Sequence, residues 1–159
     1  MSGYFVYGLP LQTESSVAST VQQVVNLKPD RIAFYGYAHV PWMKSGQRRY
    51  SEADLPDGEV KRRLYEQSQK AFVDAGYYEI GMDHFAMPTD ELYEASKNGA
   101  LNRNFMGYTT DSGDFLLGPG LSSISDTWTC FAQNVKTVEE DYSLFKKGEL
   151  PLFQRTCAK

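Results

Sequence analysis

The sequence predicts an α/β fold. Short runs rich in β-branched and aromatic residues fall at 4–7, 31–37 and 76–80, and amphipathic helical stretches separate them. Each run leads into glycine, histidine or proline. That places the strand exits at one end of a single sheet, where α/β proteins build their sites.

The first strand, Tyr4-Phe5-Val6-Tyr7, is continuously apolar or aromatic, as expected of a strand covered on both faces. Gly8 and Pro10 end it. A helix follows, N-capped by Thr13 or Ser15, with Val17, Val21, Val24, Val25 and Leu27 on its apolar face and Pro29 just beyond its end. The strand Arg31 to Tyr37 completes a βαβ unit and leads into Ala38-His39-Val40-Pro41. Residues 42–57 form a polar excursion. A second helix runs from Glu59 to Ala75, with Val60, Leu64, Ala71, Phe72 and Ala75 on one face and Gly76 as its stop. Its Lys61-Arg62-Arg63 run reads as a solvated face. The third strand, Gly76 to Ile80, ends in Gly81-Met82-Asp83-His84-Phe85-Ala86. That stretch groups an acid, an imidazole and an aromatic ring at a strand end, or else is a surface turn that contains a histidine.

Beyond Ala86 a short helix from Pro88-Thr89-Asp90-Glu91 to Lys97 is expected, then strand-like pieces at 103–109, 114–118, 121–125 and 127–132. A helix near 138–147 precedes a tail with no evident closing element. Both ends read as cut from something larger.

The chain has 159 residues, 42% hydrophobic and 23% charged, which fits one soluble globular domain over 1–159. A net charge of −4 argues against a broad nucleic-acid-binding surface. No apolar run is long enough to span a bilayer and no signal-peptide pattern opens the chain, so a cytoplasmic location without membrane association is expected. Cys130 and Cys157 lie far apart and form neither a disulfide framework nor a zinc pattern. Cys130 reads as a small buried hydrophobe. Gly118-Pro119-Gly120 reads as a turn between strands rather than a phosphate loop. The serines at 122, 123 and 125 lack a nucleophile-elbow frame.

For chemistry, Asp83 beside His84 is suited to proton handling, because a carboxylate next to an imidazole shifts and orients it. Adjacent strand residues point to opposite faces, so the two need a turn to converge. His39 ends another strand and could approach His84 if those strands are neighbours.

Five runs, in order, resemble one family. They are Tyr7-Gly8-Leu9-Pro10 with Gln12-Thr13, Tyr37-Ala38-His39-Val40-Pro41, Gly81 to Ala86, Arg103-Asn104-Phe105 with Gly107-Tyr108-Thr109-Thr110, and Leu117-Gly118 with Ser123-Ile124-Ser125. They look like the middle and later part of oxygen-independent coproporphyrinogen III oxidase, a radical S-adenosylmethionine enzyme of heme biosynthesis. The resemblance implies part of a TIM-like (βα)6 barrel, here an open half-barrel with mixed strands toward the C-terminus. It implies oxidative decarboxylation of coproporphyrinogen III to protoporphyrinogen IX, with a [4Fe–4S] cluster and S-adenosylmethionine. By that resemblance Ala38 and Ile124 match apolar contacts to a second S-adenosylmethionine. Tyr4 stands where the family has an aspartate for the same ligand. Asp83, His84, His39 and Tyr108 are the catalytic candidates.

The family's CxxxCxxC cluster loop is absent from these residues, and two cysteines cannot supply three thiolates. The cluster is therefore not expected in this chain, and an inactive fragment is expected. The alternative is a non-catalytic tetrapyrrole- or nucleoside-binding module related to heme chaperones. An open half-barrel leaves an unpaired strand edge, so a homo-oligomer, or pairing with a missing N-terminal half, is expected.

Overall fold

The computed structural model describes residues 1–104, 107–111, 113 and 115–157. The single domain read from the sequence resolves into two compact units, Met1–Gly99 and Ala100–Lys159. No helix among the described residues is long and apolar enough to cross a membrane.

The first unit runs β1 (Ser2–Tyr7), α1 (Glu14–Leu27), β2 (Arg31–Gly36), α2 (Gly58–Asp74), β3 (Tyr78–Gly81), β4 (His84–Ala86) and α3 (Glu91–Asn98). The expected βαβ unit is present, with β1 and β2 parallel and Phe5 opposite Phe34. Thr13 caps α1 with its hydroxyl on the Ser16 amide, and Ser16 returns a bond to the Thr13 amide. Lys28 turns left-handed and ends the helix before Pro29. Gly76, at φ +94°, lies just past α2, as its stop position requires. The excursion between β2 and α2 holds two short 3₁₀ segments, Ser45–Arg49 and Glu52–Asp54.

The third strand departs from expectation. The sheet order is β1-β2-β4-β3, and β4 is antiparallel to both of its neighbours. The Gly81–Ala86 run is thus not the loop beyond a strand but the turn and return strand of a hairpin. Met82 and Asp83 both take positive φ, +45° and +66°, as a two-residue hairpin turn demands. The Asp83 carbonyl accepts from the Phe34 amide, which pins the hairpin tip beside the C-terminal end of β2.

Both long helices cover one face of this sheet. Val17, Val21 and Val24 of α1 and Leu64 and Phe72 of α2 meet Ile32, Phe34 and Phe85 in the core. Phe72 stands edge-on to Phe34, with ring centroids 5.5 Å apart. Leu27, placed on the apolar face by periodicity, is exposed at the last turn. On the other face Tyr4 is 73% exposed. The edge strand Ser-Gly-Tyr-Phe-Val-Tyr carries no charge or proline to blunt it. At the opposite end of β2, Arg31 Nε bonds both oxygens of buried Asp90 (2.9 and 2.8 Å) and its Nη2 reaches Glu91. Asp90 also N-caps α3 through the Leu92 amide.

The second unit is built from two antiparallel sheets. One is the hairpin of β5 (Asn102–Asn104) and β6 (Gly107–Thr109). The other, in order β10-β9-β8-β7, uses β7 (Phe115–Leu116), β8 (Ile124–Thr127), β9 (Cys130–Asn134) and β10 (Leu152–Cys157). Helix α4 (Val138–Lys146) joins the last two strands. Phe105, Met106 and Asp114, which the sequence reading assigned to strands, lie outside the described residues. The tail expected to lack a closing element is strand β10. Its residues are all exposed, so no apolar alternation marked it in the sequence.

Cys157 lies opposite Cys130 across this ladder and the two form a disulfide. Cys130 is accordingly half-buried and bonded, not a free buried hydrophobe. Sequence separation failed as a guide because β9 and β10 are brought together only by the excursion through α4. Gly118-Pro119-Gly120 does lie in the connection between β7 and β8, where the buried Asn134 amide donates to the carbonyls of Gly118 and Gly120, both at 2.9 Å.

Candidate functional site

Cross-strand register builds the site of the first unit. Tyr4 pairs with Ala33, and Ala33 with His84, so the three form a row across β1, β2 and β4 on the face away from the helices. Val6 and Tyr35 form the next row. Ala33 keeps the middle of the shelf low. Tyr35 Oη lies 3.3 Å from His84 Nε2, with the rings edge to face. The other ring nitrogen, Nδ1, lies 2.8 Å from the Met82 carbonyl, which can only accept, so Nδ1 carries a proton. In the neutral ring Nε2 is then the acceptor for the tyrosine hydroxyl.

Asp83 sits at the hairpin tip of this shelf. Burial pushes its carboxyl above the usual carboxylate range. His84 opposes that shift, and Glu79 adds to it. The Tyr35 phenol is raised chiefly by burial, with smaller contributions from Tyr4 and Asp83. Tyr7 is also raised by burial and then by Asp83, and Tyr65 by burial and its bond to Glu79. His84 and Tyr35 thus meet on the open face, whereas Tyr7 and Tyr65 pack against the core on the helix-covered face.

The raised Asp83 carboxyl has a direct consequence. Above the unfolded carboxyl range, about pH 3.9, and up to the elevated folded value, the native state binds more proton than the unfolded chain. Stability contributed by this group therefore falls as pH rises through that window. Asp83→Asn removes the charge and tolerates the left-handed turn better. It should raise the melting temperature at pH 7 by about 2 °C and flatten its pH dependence from about pH 4 upward. Scanning fluorimetry across that range tests this, and an unchanged slope would refute it.

At the C-terminal strand ends, two glutamines hold the loops. Gln12 Oε1 accepts from the amides of Gly8 (2.6 Å) and Leu9 (3.1 Å). Gln47 accepts from the Val40 amide (2.6 Å) and donates to the Ala38 carbonyl (3.1 Å). Ala38 is exposed on the loop so held, and His39 Nδ1 lies 3.3 Å from the Tyr37 hydroxyl. The two histidines therefore engage separate tyrosines, two residues apart along the β2 exit.

Of the residues named from sequence, Tyr4 and His84 share a row, Asp83 adjoins them, and Ala38 and His39 lie on the neighbouring loop. Ile124, half-buried at the start of β8, and Tyr108, half-buried on β6, belong to the second unit. That unit has its own open pocket of about 350 Å³, lined by Arg103, Thr109, Asp111, Asp126, Trp128 and Phe131 among others. Sequence reasoning missed Tyr35, Tyr37, Gln12 and Gln47. The alternation of Tyr35 and Tyr37 with Gly36 was the available sign that both rings leave the core.

The residues present do not fit an iron–sulfur cluster. Both cysteines are joined in a disulfide, and among the described residues no three His, Cys, Asp or Glu converge on a metal position. Ala38 stands exposed on a loop held by the Gln47 side chain, and Tyr4 presents a phenol on the open face of the sheet.

No protein-family model matches the chain. It is 44% identical to the oxygen-independent coproporphyrinogen III oxidase of Escherichia coli over 137 residues, 86% of this chain and 30% of that protein. It is 49% identical to the same-named protein of Paracoccus denitrificans over 143 residues, 90% and 32% of the two. The solved coproporphyrinogen III oxidase of Escherichia coli, described as a radical SAM enzyme, superposes with a TM-score of 0.93 at 39% identity, covering 99% of this chain and 36% of that one. The chain spans about a third of the length of the curated relatives it matches. The resemblance read from the five sequence runs therefore holds.

Proposed function

We propose that this chain, a relative of the oxygen-independent coproporphyrinogen III oxidases over about a third of their length, forms part of a radical S-adenosylmethionine enzyme acting on coproporphyrinogen III in heme biosynthesis. The superposition at TM-score 0.93 carries this reading, because it extends over 99% of the chain. In it the first unit is an open segment of a TIM-like barrel. The parallel β1-α1-β2 unit with helices on one face, and the uncovered Tyr4, Tyr35 and His84 on the other, support that assignment. In the first unit Ala38 contacts S-adenosylmethionine, Asp83, His84 and Tyr35 face the tetrapyrrole, and His39 borders the same substrate. S-adenosylmethionine, when bound and reductively cleaved, supplies the radical that abstracts hydrogen.

These residues alone contribute no three-thiolate set, so the isolated chain binds ligands without turning over. After anaerobic reconstitution with iron and sulfide, it should show no [4Fe–4S] absorption and release no 5′-deoxyadenosine from S-adenosylmethionine. Formation of either would overturn the reading. Tight binding of a tetrapyrrole without S-adenosylmethionine would favour instead a non-catalytic carrier related to heme chaperones.

A further inference from the structure

Lys61 is the unusual residue of α2. It lies in the first turn, where the helix dipole disfavours a cation. Its neighbours in the basic run behave as a solvated face should: Arg62 pairs with Glu66 and Arg63 with Glu14. Lys61 does not follow them. Its half-buried stem crosses the ends of β1 and β2, and its Nζ donates to the Tyr37 carbonyl at 2.7 Å.

Two glycines make that path possible, Gly8 in the first family-marking run and Gly36 at the end of β2. A Cβ on Gly8 would lie 3.0 Å from Lys61 Cε, and one on Gly36 would lie 3.3 Å from the same atom. A side chain at either position would crowd the lysine stem and make it give way by a few tenths of an ångström. The carbonyl it holds is the last before Ala38. From there Gln47 takes over at Ala38 and Val40, and the amides of Met43 and Lys44 close on the Val40 carbonyl, both at 2.9 Å. On the other side Tyr37 donates its amide to the Tyr7 carbonyl. The loop that presents Ala38 and His39 is thus anchored at its root by one ammonium threaded over two glycines.

We infer that Lys61 is a positioning residue, holding the 37–44 loop in the form that receives the ligand. Its effect on ligand affinity rests on the S-adenosylmethionine reading above, but its effect on loop order does not.

The test uses Lys61→Met, which keeps the stem and removes the donor, in a Trp128→Phe background. Trp128 is 82% exposed, and its removal leaves Trp42, 72% exposed on the same loop, as sole reporter. Loss of a charged hydrogen bond should raise exchange of the Val40, Met43 and Lys44 amides, lower the Trp42 fluorescence anisotropy, and weaken S-adenosylmethionine binding by calorimetry about tenfold. Unchanged exchange and anisotropy would overturn the proposal, and so would a loosened loop with unaltered affinity. A loosened loop in a chain whose parent binds no S-adenosylmethionine would uphold the anchoring and reject the ligand reading instead. Should Lys61→Met fail to fold, Lys61→Gln keeps much of the stem without the ammonium and should loosen the same amides, and unchanged exchange there would equally overturn the proposal.

Discussion

Arg31→Met should cost the first unit about 2–3 kcal/mol, at the lower end for breaking a buried ion pair because the arginine side chain is 30% exposed. The carboxylate it leaves behind is the vulnerable partner. Asp90 is 7% exposed at its side chain, takes both of its arginine bonds from Nε, and holds the first turn of α3 through the Leu92 amide. Methionine preserves the apolar stem and removes only the donors, so the loss reports the unpaired charge rather than a cavity. The unit's melting midpoint should drop by about 10 °C. Asp90→Asn added to Arg31→Met should recover part of that loss, since an amide is cheaper to bury than a carboxylate. A drop below about 0.5 kcal/mol in the single variant, within the range of ordinary surface changes, would show that the pair does not fasten α3 to β2.

How much of this was legible depended on whether an element carried its own periodicity. Helices α1 and α2 had it: valines at 17, 21 and 24, then Leu64 and Phe72, with Thr13 and Gly76 marking a start and a stop. Strand β4 did not. It has three residues, and its turn uses Met82-Asp83 where the strongest hairpin signal would be Asn-Gly, so the segment read as a strand exit. Placing β4 between β2 and β3 is a tertiary choice with no local trace. The disulfide and β10 were hidden for the same reason.

The site followed a similar division. Tyr4 and His84 were visible as residue types in marked runs, but their shared row depends on the β1-β2-β4 register. Tyr35 stood in the predicted strand without a role, and its bond to His84 places it on the open face. Lys61 passed for a solvated cation because Arg62 and Arg63, beside it, are solvated cations. Only the two glycines opposite, far away in sequence, distinguish it.

The second large effect is expected at Gly118. A Cβ there would fall 2.7 Å from the Ser123 Cβ and 2.8 Å from the Ile124 carbonyl oxygen, separations that no rotamer relieves because one partner is backbone. Gly118→Ala must therefore move the β7–β8 connection. That connection is held by the Gly118 amide on Ser125 Oγ and by the two bonds from Asn134, a buried amide that would lose acceptors as the loop shifts. Overpacking of about 1–3 kcal/mol, plus part of the roughly 1–3 kcal/mol for an unsatisfied buried amide, gives an expected loss of about 2–4 kcal/mol. The loss should be confined to the second unit. Hydrogen exchange should rise across β7, β8 and β9 while the β1, β2 and β4 amides keep their protection. Asn134→Asp separates the two contributions, because it removes the donor to the Gly118 and Gly120 carbonyls and leaves Gly118 in place. If Gly118→Ala left both exchange in β8 and the second unit's melting unchanged, the close approach to Ile124 would not be what shapes this connection.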